Sequence, residues 1–419
     1  MSELIEKAGD VKIEEISITS KGKKFDIRNL VLETTIYEDI FSNVMTGHIV
    51  VRDSASFITQ LPISGVEQVT IKYRTPQYTN NATIQKTFYV NGVEERILDN
   101  TQQLYSISLI SIEALTDNIT RVSKKFSGKT HEMIQTIFDK YLKDKKNLLI
   151  LEEHASSTSV VSPFWSPLKL INWICARSYK NAPNVVFYES NKNFYLTSIE
   201  HLIRLGVTNI YDTFTYSASA SSDETLNVSA QFKRISNISP STFFDVFEAQ
   251  DYGYYTSNLI THDITLKQYY ENPHNQYEYH DKVLNLHDQG KSQTFPRDLP
   301  RKPDMYRRVR TKQYGMFDEN KDPLYEKWVA QRNSLMYEAG KLHLTIEVPG
   351  RTDIEVGKVV ALNIPKSTER DLSAATGRDL IDPYLSGNYL ITAIRHQFST
   401  NKHIMYLEVM KDSYQKELR

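Results

Sequence analysis

The segment YLSGNYLITAIRHQFSTNKHIMYLEVMKDS, Tyr384 to Ser413, constrains the fold more than any other part of the chain. It alternates as a β-hairpin does, yet it carries apolar side chains on both faces. A hairpin with one wet face needs protein on one side only, whereas this one needs cover on two. Two sources of cover are open: the rest of the same chain, or a neighbouring copy meeting the hairpin face to face or edge to edge at positions such as Ile391 and Tyr406.

Further strand patterns crowd the two ends of the chain. FDIRNLVLETTIYEDI, TGHIVVRD, EQVTIKY, KTFYVNGVEERI and LYSISLISIE are rich in Val, Ile, Thr, Tyr and Phe at period two. From Thr130 the period changes: Met133, Ile134, Ile137, Phe138, Tyr141 and Leu142 recur at three and four, which predicts a helix that Thr130 can cap. SPLKLINW predicts a second helix with Ser166 as N-cap and Pro167 at the first helical position. NVVFYESNKNFYLTSIE follows as a hairpin, and TLNVSAQFKRISNI and DVFEAQDYGYYTSNLITHDITL read as strands. From Lys267 to Asp322 the chain turns to Tyr, His, Asn, Pro, Lys and Arg with few alternating aliphatics, so this stretch reads as a polar surface insertion. PLYEKWVAQRNSLMYEAG then predicts a helix that starts near Asp322 and Pro323, ends at Gly340, and turns Trp328, Leu335, Met336 and Ala339 onto a sheet.

The two ends resemble each other. SGVEQVTIKY from Ser64 parallels EVGKVVALNI from Glu355; FYVNGVEERI followed by QLYSISLIS parallels NYLITAIRHQF followed by IMYLEVMKD. The marker pairs Tyr89/Tyr105 and Tyr389/Tyr406 have nearly equal spacing, the pattern of a diverged internal duplication. The expected organisation is mainly β (α+β). A first β domain occupies 1–118, a small α/β middle module of helices and hairpin 119–205, a second β domain 206–266 and 323–419, and the polar insertion 267–322.

Composition narrows the function classes. The net charge is −1, with acids and bases interspersed, which is not the broad basic field of a tight nucleic-acid binder. The acidic start MSELIEKAGD carries no signal-peptide pattern, and runs such as NLLIL fall far short of a membrane span, so neither Sec export nor a membrane-spanning segment is expected. Cys175, the only cysteine, lies in phase with Leu168, Ile171 and Ile174 and is expected in a helix core.

No chemistry-bearing motif is complete. HEMIQ opens as a zinc-protease helix would, but Gln135 stands where the second ligand is required, leaving His131 as a solvent-facing residue of a first helical turn. Nucleophile-elbow, dinucleotide and P-loop patterns are missing from the sequence. Glu33 with Glu38, and Asp379 with Asp382, are carboxylate pairs that a glycosidase could use only across a cleft. His274, His280 and His287, near Glu271, Asp281 and Asp288, are spaced too widely for one helix face and read as a solvated loop. The basic run PRKPDMYRRVRTK, with Tyr306 inside it, suits an acidic protein partner or a solvated face better than DNA, and the Tyr-rich YYENPHNQYEYH suits an interface or a loop packed on its own domain. No catalytic, metal-binding or cofactor-binding residue is therefore assigned, and no cofactor is expected.

The run YEDIFSNVMTGHIVVRDSASFITQLPISGVEQVTIKY, Tyr37 to Tyr73, resembles the opening domain of central hub proteins from contractile phage-tail baseplates. GKLHLTIEVPGRTDIEVGKVVALNIP, Gly340 to Pro365, with LSGNYLITAIRHQF after it, is similar to the second such domain, a type shared with type VI secretion spike hubs and phage late-control proteins. The likeness covers about two thirds of the chain and rests on fold signatures. It implies two tube-like β-barrel domains per chain and a homotrimer closing a pseudo-sixfold ring. That ring would join the sixfold tail tube protein to the threefold spike protein, with wedge proteins as further candidate neighbours. It also implies a place in the virion's tail baseplate after assembly in the host cytoplasm, and a lumen through which DNA can pass. Two other classes remain as alternatives, a hub-associated peptidoglycan hydrolase and a carbohydrate-binding β module.

Overall fold

The computed structural model describes residues 8–54, 57–60, 63–65, 67–75, 83–98, 102–216, 228–242, 246–263, 267–276, 278, 286–287, 307–311, 325–366 and 381–413. The first alternating segments form β1 (Lys12–Ser20), β2 (Lys23–Asp26), β3 (Val31–Asp39), β4 (Thr46–Asp53), β5 (Gln68–Arg74), β6 (Ile84–Leu98) and β7 (Gln103–Ile110). They pair antiparallel in the order β3-β4-β7-β6-β5-β1-β2. Period-two patterning sets the faces: Ile49 and Val51 of β4 turn inward with Phe88 and Val90 of β6 and Ile107 and Leu109 of β7, and these form the first core.

The middle of the chain folds as the helical and hairpin patterns predict. β8 (Lys125–Lys129) pairs with β10 (Ser157–Val161), while β11 (Val185–Glu189) and β12 (Phe194–Ser198) form the hairpin, with β9 (Leu148–Ile150) parallel to β12. Helices Thr130–Tyr141 and Pro167–Cys175 pack Ile134, Ile137, Phe138, Ile171 and Ile174 against Phe187 and Phe194. Pro167 occupies the first helical turn as predicted, and Cys175 is buried, its thiol pushed up to about 12 by burial. Thr130 is not the cap; Lys129 holds that position, and the Thr130 hydroxyl instead lies 2.9 Å from His154 Nδ1 and 3.0 Å from Ser156 Oγ.

The second half repeats the first ladder. β13 (Thr213–Tyr216), β14 (Arg234–Ile235), β15 (Asn237–Thr242), β19 (His343–Pro349), β20 (Val359–Asn363), β21 (Gly387–Phe398) and β22 (His403–Met410) join one large sheet, in which β15-β19-β22-β21-β20-β13 follows the order β3-β4-β7-β6-β5-β1. The duplication thus survives in strand order more clearly than in residues: Tyr389 is fully buried and Tyr89 only half-buried, and Tyr105 and Tyr406 reverse that relation. One joint differs, since β13 runs parallel to β20 where β1 runs antiparallel to β5. The predominantly β fold class is borne out.

Several local expectations are corrected. Within 267–322, expected to break the β pattern, Gln268–Asn275 (β17) and Arg307–Thr311 (β18) flank β16 (Thr256–Asp263) in a separate three-stranded sheet. Leu286, from the same stretch, is buried in the second core. Backbone pairing forms β17 although its residues are mostly polar, which a search for alternating aliphatics overlooks. Val228–Gln231 and Val246–Asp251 are short helices rather than strands. The helix Tyr325–Lys341 runs through Gly340, and its stripe divides: Met336 and Ala339 face the second core, but Trp328 packs with Leu259 of β16 and Tyr179 instead of on the large sheet. Asp322 and Pro323 lie outside the described residues.

Helix Ile199–Thr208 closes over β20 at one tight point. A Cβ on Gly206 would stand 2.1 Å from Val359 Cγ2, so Gly206→Ala should overpack the second core and cost about 1–3 kcal/mol. Adding Val359→Ala should recover part of that loss in urea-melt ΔG; an unaltered Gly206→Ala midpoint would show that the helix is free to lift away.

Candidate functional site: the shared strand and the open edges

The two-sided hairpin is explained by β21, which uses both of its edges. One edge pairs with β22 along most of its length; the other pairs first with β20 through Gly387–Leu390 and then with β3 through Ala393–Phe398. Ile40 N donates to Thr392 O at 3.0 Å and extends the second joint. Leu390, Ile391 and Ile394 consequently sit in the second core, whereas Phe398, farther along the same strand, sits in the first. The N-terminal segment adds a tie at the hairpin turn, where Val11 N donates to Asn401 O and His403 N to Gly9 O. The hairpin is covered within one chain, and Ile391 is fully buried, so a charge there would break the core rather than an outer contact. Tyr406 is half-buried, with the Arg395 guanidinium 3.9 Å from its ring centre.

A buried polar cluster lies where β3, β6, β21 and the middle module meet. Lys86 Nζ of β6 donates to Glu38 Oε1 of β3 at 2.7 Å, and both side chains are almost wholly buried. Ser190 Oγ donates to Glu38 Oε2 at 3.1 Å. His396 of β21 lies 3.7 Å from Glu38 through Nε2 and 3.1 Å from His403 Nε2 through Nδ1, and the His403 ring stacks on Phe398. Burial alone would raise the Glu38 carboxyl's pKa, but the Lys86 ammonium and the His396 ring outweigh it and hold the group well below the ordinary carboxylate range. Burial lowers the pKa of His396, and of His403 further, so both rings are held neutral. The sequence singles out Glu38 only as a carboxylate beside Glu33, and Lys86 not at all, because charged residues in strands ordinarily face water. The available signal is phase: Glu38 alternates with Thr34 and Ile36, and Lys86 with Phe88 and Val90, all buried.

A second polar tie holds the middle module to the first sheet. Glu189 Oε2 accepts from Met45 N at 2.7 Å and Oε1 from Lys146 Nζ at 2.5 Å, while Asn43 Nδ2 donates to Phe187 O at 2.9 Å. Beside it is a cleft of about 500 Å³ lined by Lys86, Tyr89, Glu113, Lys146 and Glu189 among others. Glu113 is pushed up to about 7, by burial and by the Glu189 charge.

The remaining candidates do not converge. Glu33 accepts from Thr35 Oγ1 and Gln397 Nε2 and is not paired with Glu38; Asp382 accepts from Tyr384 N and Leu385 N. His131 is buried, with its Nδ1 accepting from His154 N at 2.9 Å, because the first turn of its helix is covered by the 152–156 segment instead of facing water. His274 is buried in β17, its pKa lowered by burial to about 4, and His287 Nε2 accepts from Asn388 N on the hairpin. His280, Asp281, Asp288, Tyr306 and Asp379 lie outside the described residues. Among the described residues no group of three His, Cys, Asp or Glu is placed to hold a metal ion, and no helix is long and apolar enough to cross a membrane.

At the positions equivalent to this joint, the repeated ladder leaves two half-edges without a strand partner among the described residues. The joint of β21 with β3 has a counterpart in the duplicate: the Gly92–Leu98 half of β6 corresponds to the pairing half of β21, and β15 corresponds to β3. Among the described residues no strand pairs with either of those outer edges. Glu94, Glu95, Arg96 and Ile97 of β6 and Asn237 and Ser239 of β15 are exposed, whereas their equivalents in the joint are mostly buried. The β6 edge is blunted by charge, and Glu95 takes φ +53 at a bulge there.

Comparison with known proteins supports the sequence resemblance. No protein-family model matches the chain. It is 22% identical, over 96% of its length and 94% of the relative's, to a probable baseplate hub protein of Vibrio phage KVP40. In fold it is similar to a prophage MuSo2 43 kDa tail protein from Shewanella oneidensis, with TM-score 0.56 at 9% identity, covering 96% of this chain and 99% of that one. It is also similar to a tail protein from Neisseria meningitidis MC58, with TM-score 0.54 at 9% identity, covering 95% of this chain and 96% of that one. The resemblance to baseplate hub proteins is borne out.

Two measurements test the buried cluster. Lys86→Met leaves Glu38 desolvated without its cation and should cost about 3–5 kcal/mol, whereas Lys86→Met with Glu38→Leu should recover most of it. Equal losses in the single and double variants would show that the pair is not the feature that matters. For pH, His396 and His403 have folded pKa values below their unfolded ones, so the unfolded chain binds more protons as pH falls. The two rings should lower stability, and with it Tm, as pH falls below ~6.5, each by up to about 1.4 kcal/mol per pH unit. Glu113 opposes them, because its pKa, raised to about 7, favours the folded state as pH falls toward ~4.5; further loss follows below ~4.5 as Glu38's pair is titrated. His396→Gln should make the first decline shallower; an unchanged slope would exclude that ring as a source.

Proposed function

We propose that this chain is the hub of a contractile-tail baseplate and that three copies close into a pseudo-sixfold ring between the tail tube and the spike. The observation carrying the proposal is the pair of open edges. Each chain contains one finished joint, β21 on β3, and the two unmatched halves of an equivalent joint, β6 and β15. If β6 of one copy joins β15 of the next as β21 joins β3, both of these half-edges are satisfied, and two repeats in each of three copies give six similar units. Tube protein, spike protein and wedge proteins would then meet the two faces and rim of that ring, in the virion's tail baseplate, with DNA passing through its lumen.

The role is structural rather than catalytic. Glu113, pushed up to about 7, lines the cleft as a general acid could, but its carboxylate neighbour Glu189 has both oxygens engaged, by Met45 N and Lys146. A peptidoglycan hydrolase therefore has less support here than a tie between modules.

Mass photometry of the chain with its cognate spike protein should give three copies per complex. Ile97 is 61% exposed on the open edge of β6, so Ile97→Asp should leave folding within about 0.5 kcal/mol of the parent yet prevent ring closure. A dimer, a ring of six copies, or normal assembly of the Ile97→Asp chain would overturn the proposal.

A further inference from the structure

On the middle module, away from the open edges, a phenylalanine stands where the backbone favours glycine. β10 pairs Val161 with Lys125, and Ser162 N donates to Lys124 O at 3.0 Å. One step on, Val122 bridges Trp165 and its N–H donates to Trp165 O at 2.9 Å. Ser123 alone therefore faces both Pro163 and Phe164: this is a bulge, and Phe164 at φ +60 takes its left-handed position. Glycine adopts that conformation freely and a bulky side chain does not. The cost is not offset by burial, because Phe164 is 67% exposed. On the same ribbon Val161 is 65% exposed, and Ile119, at the end of the preceding helix, is 83% exposed.

The charge around these three side chains is mainly basic, with Asp117 and Glu132 flanking it and the Asp117 carboxylate taken up by the Leu168 N–H. Residues 119–129 contain Arg121, Lys124, Lys125 and Lys129 with no acid, and residues 155–169 contain Lys169 with no acid, in a chain whose net charge is −1. Arg121 is committed to the carbonyls of Asp117, Asn118 and Thr120, but Lys124, Lys125 and Lys169 are exposed rim residues. Strained, exposed apolar side chains with lysines beside them in sequence are the features that interaction surfaces carry.

We propose that this ribbon docks an acidic polypeptide that offers an apolar pocket to Phe164. The alternative of single-stranded nucleic acid fits less well. Val161 and Ile119 are not stacking groups, and the neighbouring Trp165 and Trp173 rings are half-buried with Lys169 5.4 Å and Arg177 3.6 Å from their centres, which leaves few free aromatic faces. The basic rim selects an acidic partner and predicts binding that weakens with salt.

The test uses the full chain and fluorescein-labelled short peptides alternating Glu with Leu, Ser with Leu, or Lys with Leu, alongside an oligothymidylate and phosphatidylglycerol vesicles. The Glu/Leu peptide should bind best and lose affinity as salt rises. Phe164→Gly relaxes the bulge, so it should not lower Tm, yet it should weaken peptide binding about tenfold or more; Lys124→Glu with Lys125→Glu should do the same. Binding of the Glu/Leu peptide that is absent, or unchanged in both variants, would overturn the proposal. So would tighter binding of oligothymidylate or vesicles, or self-association of the chain that both variants abolish.

Discussion

A β-strand has two hydrogen-bonding edges, and the architecture of this protein depends on how β21 divides them. Its start completes the second sheet against β20, its end completes the first against β3, and β22 lies along most of the other side. An unpaired edge inside a protein would leave backbone donors and acceptors unsatisfied, so the two halves of the chain cannot separate at this joint without exposing both. The hydrophobic pattern follows the same division, with Leu390 and Ile391 serving one core and Phe398 the other.

The Glu38–Lys86 pair sits beside that joint and makes it specific. Burying two charges gains little over a hydrophobic filling of the same volume, but it strongly penalises any arrangement that separates them. Because Glu38 comes from β3, Lys86 from β6, His396 from β21 and Ser190 from the middle module, one cluster reports whether four elements are in register. Glu189 does the same on a smaller scale for the turn after β3, through Met45 N, and for Lys146.

Duplication gives the joint a second meaning. The β21–β3 joint has no twin among the described residues, where the exposed halves of β6 and β15 are the matching positions. The fold it shares with phage tail proteins at 9% identity shows how little sequence such a ladder needs to retain, since strand order and burial phase are kept by many residue combinations. The basic, apolar ribbon around Phe164 lies outside this repeat and belongs to the middle module alone.

Alternation by itself determined the strands at both ends, the two central helices with Pro167 in place, the burial of Cys175 and the likeness of the two halves, because period and propensity act over a few neighbouring residues. Tertiary structure decided what local pattern cannot carry. His131 is buried because the segment around His154, 23 residues away, covers its helical turn, Trp328 packs on Leu259 of β16 and on Tyr179, both distant in sequence, and polar residues 268–275 are a strand because β16 offers them an edge. Glu38 and Lys86 were legible only as charges in phase with aliphatics; that they meet at 2.7 Å depends on β3 and β6, 48 residues apart at this pair and separated in the sheet by β4 and β7, being brought together by packing.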